Sequence, residues 1–146
     1  MKRTRENATP ISVTLGYAAG PEGDGVAYAA LGAGSGRPES LVRVSFRCRP
    51  QAALLGRDVA YAALGAVAAE LLERGIAAAV FRIAEASVPR DLDERRAVPS
   101  PLIVPYVTLR CALNRFASAT VSHAVDRTIR DLTARARADA SLTVAA

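Results

Sequence analysis

The chain has 146 residues, which is enough for one domain with a sizeable core and too few for two. Hydrophobic residues make up 51% of it, but aromatic residues only 5% and tryptophan is absent, so the core is expected to consist mainly of Ala, Val, Leu and Ile. The net charge of +5 is compatible with a polyanionic partner, and no stretch is apolar for long enough to span a membrane.

The cysteines and the first residues indicate the compartment. Cys48 and Cys111 are far apart, with neither the spacing of a metal site nor that of a disulfide framework. Both lie in apolar patterns, so we expect buried free thiols and a reducing, cytoplasmic location. Residues 1–9 are basic and lack the apolar core of a signal peptide. We interpret them as a flexible N-terminal arm, followed by a single domain over residues 10–146.

The first part of the chain predicts an antiparallel meander of three strands. Residues 11–19 alternate in polarity, and a turn rich in glycine separates them from a second strand at about residues 25–34. Residues 41–48 have the clearest pattern in the chain. Apolar residues occupy the even positions from 42 to 48, and arginine or serine occupies the odd positions between them.

A helix and a buried strand follow, and the rest of the chain can be arranged around them. Residues 56–74 place small apolar residues at helical spacing, and Gly75 comes next, where a left-handed C-terminal cap favours glycine. Residues 76–83 are too apolar for a half-exposed strand and too short for another helix. They predict a buried strand with a parallel neighbour in the sheet.

The last third of the chain predicts three helices and a strand. We expect a short helix around residues 89–95, a helix over 101–116, a strand over 118–125 and a basic helix over 126–142. The inward residues predicted for the second of these helices are Leu102, Val107, Cys111 and Leu113. His123 alternates with two valines and is expected to be packed and hydrogen-bonded. The predicted order is β-β-β-α-β-α-α-β-α.

This order resembles the ribonuclease H family, in its type-1 branch with five strands and flanking helices. The stretches that carry the resemblance are residues 21–27 (PEGDGVA), 59–64 (VAYAAL), 71–76 (LLERGI), 80–83 (VFRI) and 131–134 (DLTA). They are similar, in order, to the family's first turn, first helix, helix exit, fourth strand and start of the last helix. The resemblance implies an α+β fold with a five-stranded mixed sheet and helices on both faces.

The resemblance also implies the position of a site. In the family, carboxylates from strand one, the first helix, the end of strand four and the last helix hold two divalent metal ions. The matching positions here are Thr14, Leu15 or Gly16; Ala60, with Asp58 nearby; Ala84, followed by Glu85; and Asp131. Asp131 matches in both place and chemistry, and Glu85 is the second candidate catalytic residue. Two carboxylates are too few for a metal pair, so we expect a degenerate active site without a metal.

Arginines are the remaining indication of a binding function. Arg43 and Arg47 share one face of the third strand, and Arg127 and Arg130 lie on the last helix. In the family, a nucleic-acid hybrid lies across the active-site edge of the sheet, so these cations could bind phosphates without cleavage. Ordinary solubility explains the arginines equally well.

Three functions stay open at this level. The one we favour is a non-catalytic ribonuclease H-like protein that needs no cofactor and binds nucleic acid, as an RNA–DNA hybrid or duplex, or a protein partner. The second is an active hybrid endonuclease that uses Mg²⁺ or Mn²⁺ and a rearranged carboxylate site drawn from Asp131, Glu85, Asp58 and Asp24. The third is a structural or assembly module, such as a homodimer through an exposed strand or the alanine-rich helix.

Overall fold

The order of strands and helices confirms the order predicted from the sequence. The computed structural model describes residues 9–32, 38–49, 54, 56–94 and 98–145. Its strands are β1 (Ile11–Ala19), β2 (Asp24–Gly32), β3 (Pro38–Arg47), β4 (Ala78–Ile83) and β5 (Ser118–His123). Its helices are α1 (Arg57–Glu73), α2 (Ser87–Glu94), α3 (Ile103–Asn114) and α4 (Arg127–Ala145), with a 3₁₀ turn at Ser100–Leu102 before α3.

The strands form one mixed sheet in the order β3-β2-β1-β4-β5. The first three strands pair antiparallel, as the predicted meander requires. β4 lies parallel between β1 and β5, which confirms the prediction of a strand with a parallel neighbour. Phe81 and Ile83 of β4 are fully buried, as expected where an almost continuously apolar strand occupies the middle of a sheet.

Apolar clusters cover both faces of the sheet, so helices lie on both faces as predicted. The larger cluster joins the sheet to α1 and α3 and includes the buried side chains of Leu15, Leu64 and Leu109. The smaller cluster joins the sheet to α4. Its buried members are Val26, Tyr28, Ala30, Leu132 and Ala136. The position of α4 therefore depends on its packing against β1 and β2.

Gly16 is where α4 comes closest to the sheet. A Cβ atom built on Gly16 would lie 2.3 Å from the backbone nitrogen of Thr133 and 2.5 Å from the carbonyl carbon of Leu132. Contacts this short with backbone atoms leave no room for any side chain. A residue without a side chain is thus required for α4 to pack on β1 as it does.

The inward face of α3 differs from the prediction. Leu102 and Leu109 are buried, but Val107 is 50% exposed and Cys111 is exposed. The predictions for Val107 and Cys111 were wrong because α3 packs on α1 through a narrow stripe. On a helix that is apolar on several sides, sequence periodicity does not select which stripe faces inward.

The end of β5 also differs from the prediction. His123 is exposed, and Val125, beyond the strand, is 66% exposed. The prediction of a packed imidazole was wrong because His123 lies at the exposed end of an edge strand. Alternation along a strand shows which residues share a face, but not whether that face is covered.

Two further expectations concern the chain as a whole. In the part of the chain that the structure describes, no helix combines the length and apolar character needed to cross a membrane. The predicted basic arm, residues 1–9, lies outside the described residues except for Thr9.

Candidate functional site

The elements from which the site was predicted meet at a pocket of about 430 Å³. β1, the start of α1, the segment after β4, and α4 all contribute to it. Its lining residues are Tyr17, Ala18, Ala19, Gly56, Val59, Ala84, Glu85 and Arg137. The structure thus places Ala84 and Glu85 in one pocket with residues of β1 and α1.

The side chains that line this pocket carry charges of both signs, so its net charge is close to zero. Among its described lining residues, Glu85 supplies the negative charge and Arg137 the positive charge. Burial raises the pKa of the Tyr17 phenol, and the nearby Glu85 carboxylate raises it further. Tyr17 is therefore a neutral hydroxyl at physiological pH. The pocket can offer hydrogen bonds and one carboxylate, but little net negative charge.

The other predicted positions do not line the pocket. Thr14 is 5% exposed, and Ala60, in the first turn of α1, is completely buried. Asp58 is buried in the first turn of α1, where its carboxylate accepts a hydrogen bond from the backbone of Val59. The Asp131 side chain is 73% exposed on α4 and lies 3.9 Å from the Arg127 guanidinium. The structure therefore separates Asp131 from the pocket that holds Glu85.

Arg82 connects three of the elements from which the site was predicted. From β4, its Nη1 donates to Thr14 Oγ1 of β1 at 3.2 Å, and its Nη2 donates to Asp126 Oδ2 at 2.6 Å. Asp126 also caps α4, since its Oδ1 accepts a hydrogen bond from the Ile129 amide at 3.0 Å. Sequence reasoning missed this contact. An arginine between Phe81 and Ile83, in an otherwise apolar strand, was the signal that could have indicated it.

The donor set does not fit a pair of divalent metal ions. Hard cations need several oxygen ligands that also compensate their charge. The Thr14 hydroxyl is bound to a guanidinium, Ala60 and Ala84 carry no donor, and Glu85 shares its pocket with Arg137. Over the described ranges, no three His, Cys, Asp or Glu side chains are grouped so that they could hold a metal ion.

We expect Asp126 to make folding stability depend on pH in the acid range. The hydrogen bond from the Ile129 amide, and then the Arg82 guanidinium, hold the pKa of Asp126 below its usual value. Because the folded-state pKa is the lower one, the stabilisation is fully present above the unfolded-state pKa of about 3.9. It is lost as the pH falls through the folded-state value.

Urea unfolding of the wild-type protein and of Asp126→Asn, from pH 7 down to about pH 3, tests this expectation. Asparagine keeps a capping oxygen but loses the charge, so the variant should be less stable at pH 7 by about 1 kcal/mol. That difference should shrink as the pH falls. Asp131→Asn, at an exposed carboxylate with a 3.9 Å ion pair, is the control and should change stability little. A difference that does not vary with pH would contradict the role of the Asp126 charge.

The predicted phosphate-binding arginines lie on the α4 side of the sheet. Arg43 bonds Asp139 of α4 at 3.1 Å, and Arg47 bonds Asp24 at 3.0 Å. The Arg127 side chain is 90% exposed near the start of α4, and Arg130 is exposed one turn later. Arg130 and Asp139 are about 14 Å apart along the helix axis. The arginines therefore spread along one side of the molecule and do not form a single cluster.

No family model and no curated protein matches the chain. Among solved structures, RNase H1 from the halophilic archaeon Halobacterium salinarum NRC-1 is similar at 18% identity and a TM-score of 0.67, over 89% of this chain and 98% of that chain. The N-terminal RNase H domain of a Mycobacterium tuberculosis protein is similar at 15% identity and a TM-score of 0.68, over 94% and 99%. LC11-RNase H1, isolated from compost and solved with an RNA/DNA hybrid, is similar at 11% identity and a TM-score of 0.63, over 89% and 98%. At these identities the likeness is one of fold.

Proposed function

The chain has a ribonuclease H-like fold, and on that premise we propose that it binds nucleic acid without cleaving it. One observation carries the proposal. The pocket where β1, α1, the end of β4 and α4 meet has Glu85 as its acidic lining residue, beside Arg137. This lining supports the proposal, because one carboxylate beside an arginine is fewer acidic groups than the family's two-metal chemistry would need.

Electrostatics is the reason that cleavage is not expected. Two doubly charged cations, held side by side, repel each other strongly unless carboxylates bridge them. Glu85 alone cannot balance such a pair, and Arg137 adds a positive charge to the same pocket. Arg82 donates to the Thr14 hydroxyl and forms an ion pair with Asp126, so these three side chains offer no uncompensated negative charge to a cation.

The α4 side supports binding because its arginines are accessible to phosphates. Among the arginines described above that form ion pairs, Arg127 has the most exposed side chain. Its carboxylate partner, Asp131, is 3.9 Å away. Exposed ion pairs of this kind are worth only about 0–1 kcal/mol, so a phosphate can replace the carboxylate. LC11-RNase H1, which shares the fold, was solved in a complex with an RNA/DNA hybrid. We extend duplex binding to this chain as part of the proposal.

Binding is tested by fluorescence anisotropy with a labelled RNA–DNA hybrid and a DNA duplex of equal length. We expect the affinity to fall as salt rises from about 50 to about 200 mM, because phosphate contacts release counterions. The double variant Arg127→Gln with Arg130→Gln should weaken binding and reduce the slope of log affinity against log salt by about 2.

Arg74→Gln is the matched control. It removes an arginine that is also exposed and also paired with a carboxylate four residues away, but that lies just after α1, on the other side of the sheet. Its binding should equal that of the wild type. If neither nucleic acid binds at low salt, or if Arg74→Gln has the same effect as the double variant, the binding proposal fails.

Cleavage is tested separately, by incubating the labelled hybrid with the protein and Mg²⁺ or Mn²⁺. We expect the RNA strand to stay intact. Cleavage that disappears in Glu85→Gln or Asp131→Asn would instead establish the nuclease alternative, with those carboxylates in catalytic roles.

A further inference from the structure

β5 presents a row of hydroxyl side chains to solvent on the α4 side of the sheet. Ala119 and Val121 pack against the larger apolar cluster, so the alternate residues Ser118, Thr120 and Ser122 point to the opposite side. All three are exposed, because α4 packs on β1 and β2, whereas β5 is the edge strand beyond β4. We define these three residues as the hydroxyl row.

The two strands that surround the hydroxyl row carry no negative charge, since neither β4 nor β5 contains an acidic residue. Ala78, Val80 and Arg82 of β4 lie in register with the row. The nearby carboxylate of Asp126 is already compensated, because it lies 2.6 Å from the Arg82 guanidinium. A polyanion can therefore approach the row without being repelled by a carboxylate of these two strands.

The spacing of the hydroxyl row matches that of a nucleic-acid backbone. Alternate residues of a strand lie about 6.6 Å apart, so the row spans about 13 Å. Successive phosphates along one nucleic-acid strand have a similar separation. Serine and threonine hydroxyls are common donors to phosphate oxygens. The row can therefore donate hydrogen bonds to successive phosphates of a single strand.

The hydroxyl row ends beside the exposed arginines at the start of α4. Ser122 lies in register with Arg82, and the Arg82 guanidinium is bonded to Asp126. Asp126 directly precedes Arg127, whose side chain is 90% exposed, and Arg130 is exposed one turn later. The row and these arginines therefore form one continuous surface.

We propose that one strand of the bound nucleic acid runs along the hydroxyl row, which donates hydrogen bonds to its phosphates, and continues to Arg127 and Arg130. This inference rests on the proposed function and adds the path of the strand across the protein. The ligand class is the sugar–phosphate backbone, because the row offers neutral donors next to cations and no base-specific pocket.

Charge favours this path over the path from Arg127 along α4 to β3. At the β3 edge, Asp139 and Asp24 lie 3.1 and 3.0 Å from Arg43 and Arg47. Asp139 also accepts a hydrogen bond from the Tyr28 hydroxyl, which holds the carboxylate in place. A phosphate at this edge would have to displace these carboxylates and would be repelled by them, whereas β5 holds none.

Fluorescence anisotropy with the labelled RNA–DNA hybrid tests the path. Thr120→Glu should weaken binding about tenfold, because it places a negative charge beside the phosphates. Ser45→Glu is the matched control. It makes the same change at an exposed hydroxyl on the same side of the sheet, in the opposite edge strand, and should change the affinity less than about twofold.

A second pair of variants gains binding, so that loss of folding cannot imitate the result. Thr120→Arg should tighten binding and steepen the slope of log affinity against log salt by about 1, since it adds a phosphate contact. Ser45→Arg should leave the slope unchanged.

The outcomes separate the path from the proposed function. If the wild type binds neither hybrid nor duplex at low salt, the proposed function fails and the path fails with it. If the wild type binds but substitutions at Ser45 have effects equal to or larger than those at Thr120, the path along β5 is overturned while nucleic-acid binding stands.

Discussion

Replacing Gly16 with alanine is expected to destabilise the fold by at least about 3 kcal/mol. The new Cβ atom would lie 2.3 Å from the Thr133 nitrogen and 2.5 Å from the Leu132 carbonyl carbon, well inside van der Waals contact. Both are backbone atoms of α4, so no side-chain rotation relieves the clash. The helix would have to move away from β1, and its cluster with Val26 and Tyr28 would open.

The measurement is the free energy of unfolding from chemical denaturation, with Gly65→Ala as the matched control. Gly65 lies inside α1 with open space above it, so the same substitution there adds helix propensity and should stabilise by up to about 1 kcal/mol. Opposite signs at the two glycines are the expected result. If Gly16→Ala stays within about 0.5 kcal/mol of the wild type, α4 does not pack on β1 as described.

Removing the carboxylate of Asp91 is expected to cost about 3 kcal/mol, because it would leave the buried Tyr61 hydroxyl and the partly buried Arg57 guanidinium without their shared acceptor. Asp91 Oδ2 accepts hydrogen bonds from Arg57 Nη2 at 2.6 Å and from the Tyr61 hydroxyl at 2.8 Å. The Asp91 and Arg57 side chains are 8% and 27% exposed, and Tyr61 is 1% exposed. Burial, and then the hydrogen bond to Asp91, raise the pKa of Tyr61, so its hydroxyl stays a neutral donor.

Three variants compare how much each hydrogen bond or ion pair contributes to the free energy of unfolding. Asp91→Ala removes the shared acceptor, whereas Tyr61→Phe removes one donor and should cost about 1 kcal/mol. Glu70→Ala breaks an exposed ion pair with Arg74 within α1 and should cost about 0.3–0.5 kcal/mol. The expected order of cost in urea unfolding is therefore Asp91→Ala, Tyr61→Phe, Glu70→Ala. Equal costs for Asp91→Ala and Glu70→Ala would mean that α1 and α2 do not meet through this network.

The features predicted correctly depend on neighbouring residues in the chain. Alternation over residues 41–48 defines the face of β3 that packs inward, and Val42 and Phe46 are indeed buried. The almost continuously apolar stretch 76–83 predicts the buried β4 with a parallel neighbour, and β4 has one on each side. Periods of two and of 3.6 residues are properties of the local backbone, so they can be recognised without knowledge of tertiary contacts.

The features that the sequence did not predict depend on which surfaces of the helices and strands pack against each other. The exposure of Val107, Cys111 and His123 follows from how α3 lies on α1 and from the position of β5 at the sheet edge. The contacts of Arg82 span residues far apart in the chain, from Thr14 to Asp126. Such contacts have no periodic signal along the sequence.

For the candidate site, too, some features follow from the sequence and others only from tertiary packing. The sequence alone determined that the expected carboxylate positions hold residues such as Thr14, Ala60 and Ala84, because a missing side-chain oxygen is visible in any list of residues. Only the tertiary structure decided that Glu85 shares a pocket with Arg137 and that Asp131 lies apart from it on α4. The physical reason is that the charge of a site is the sum over side chains from separate elements. Their distances depend on packing, here on the close contact of α4 with Gly16.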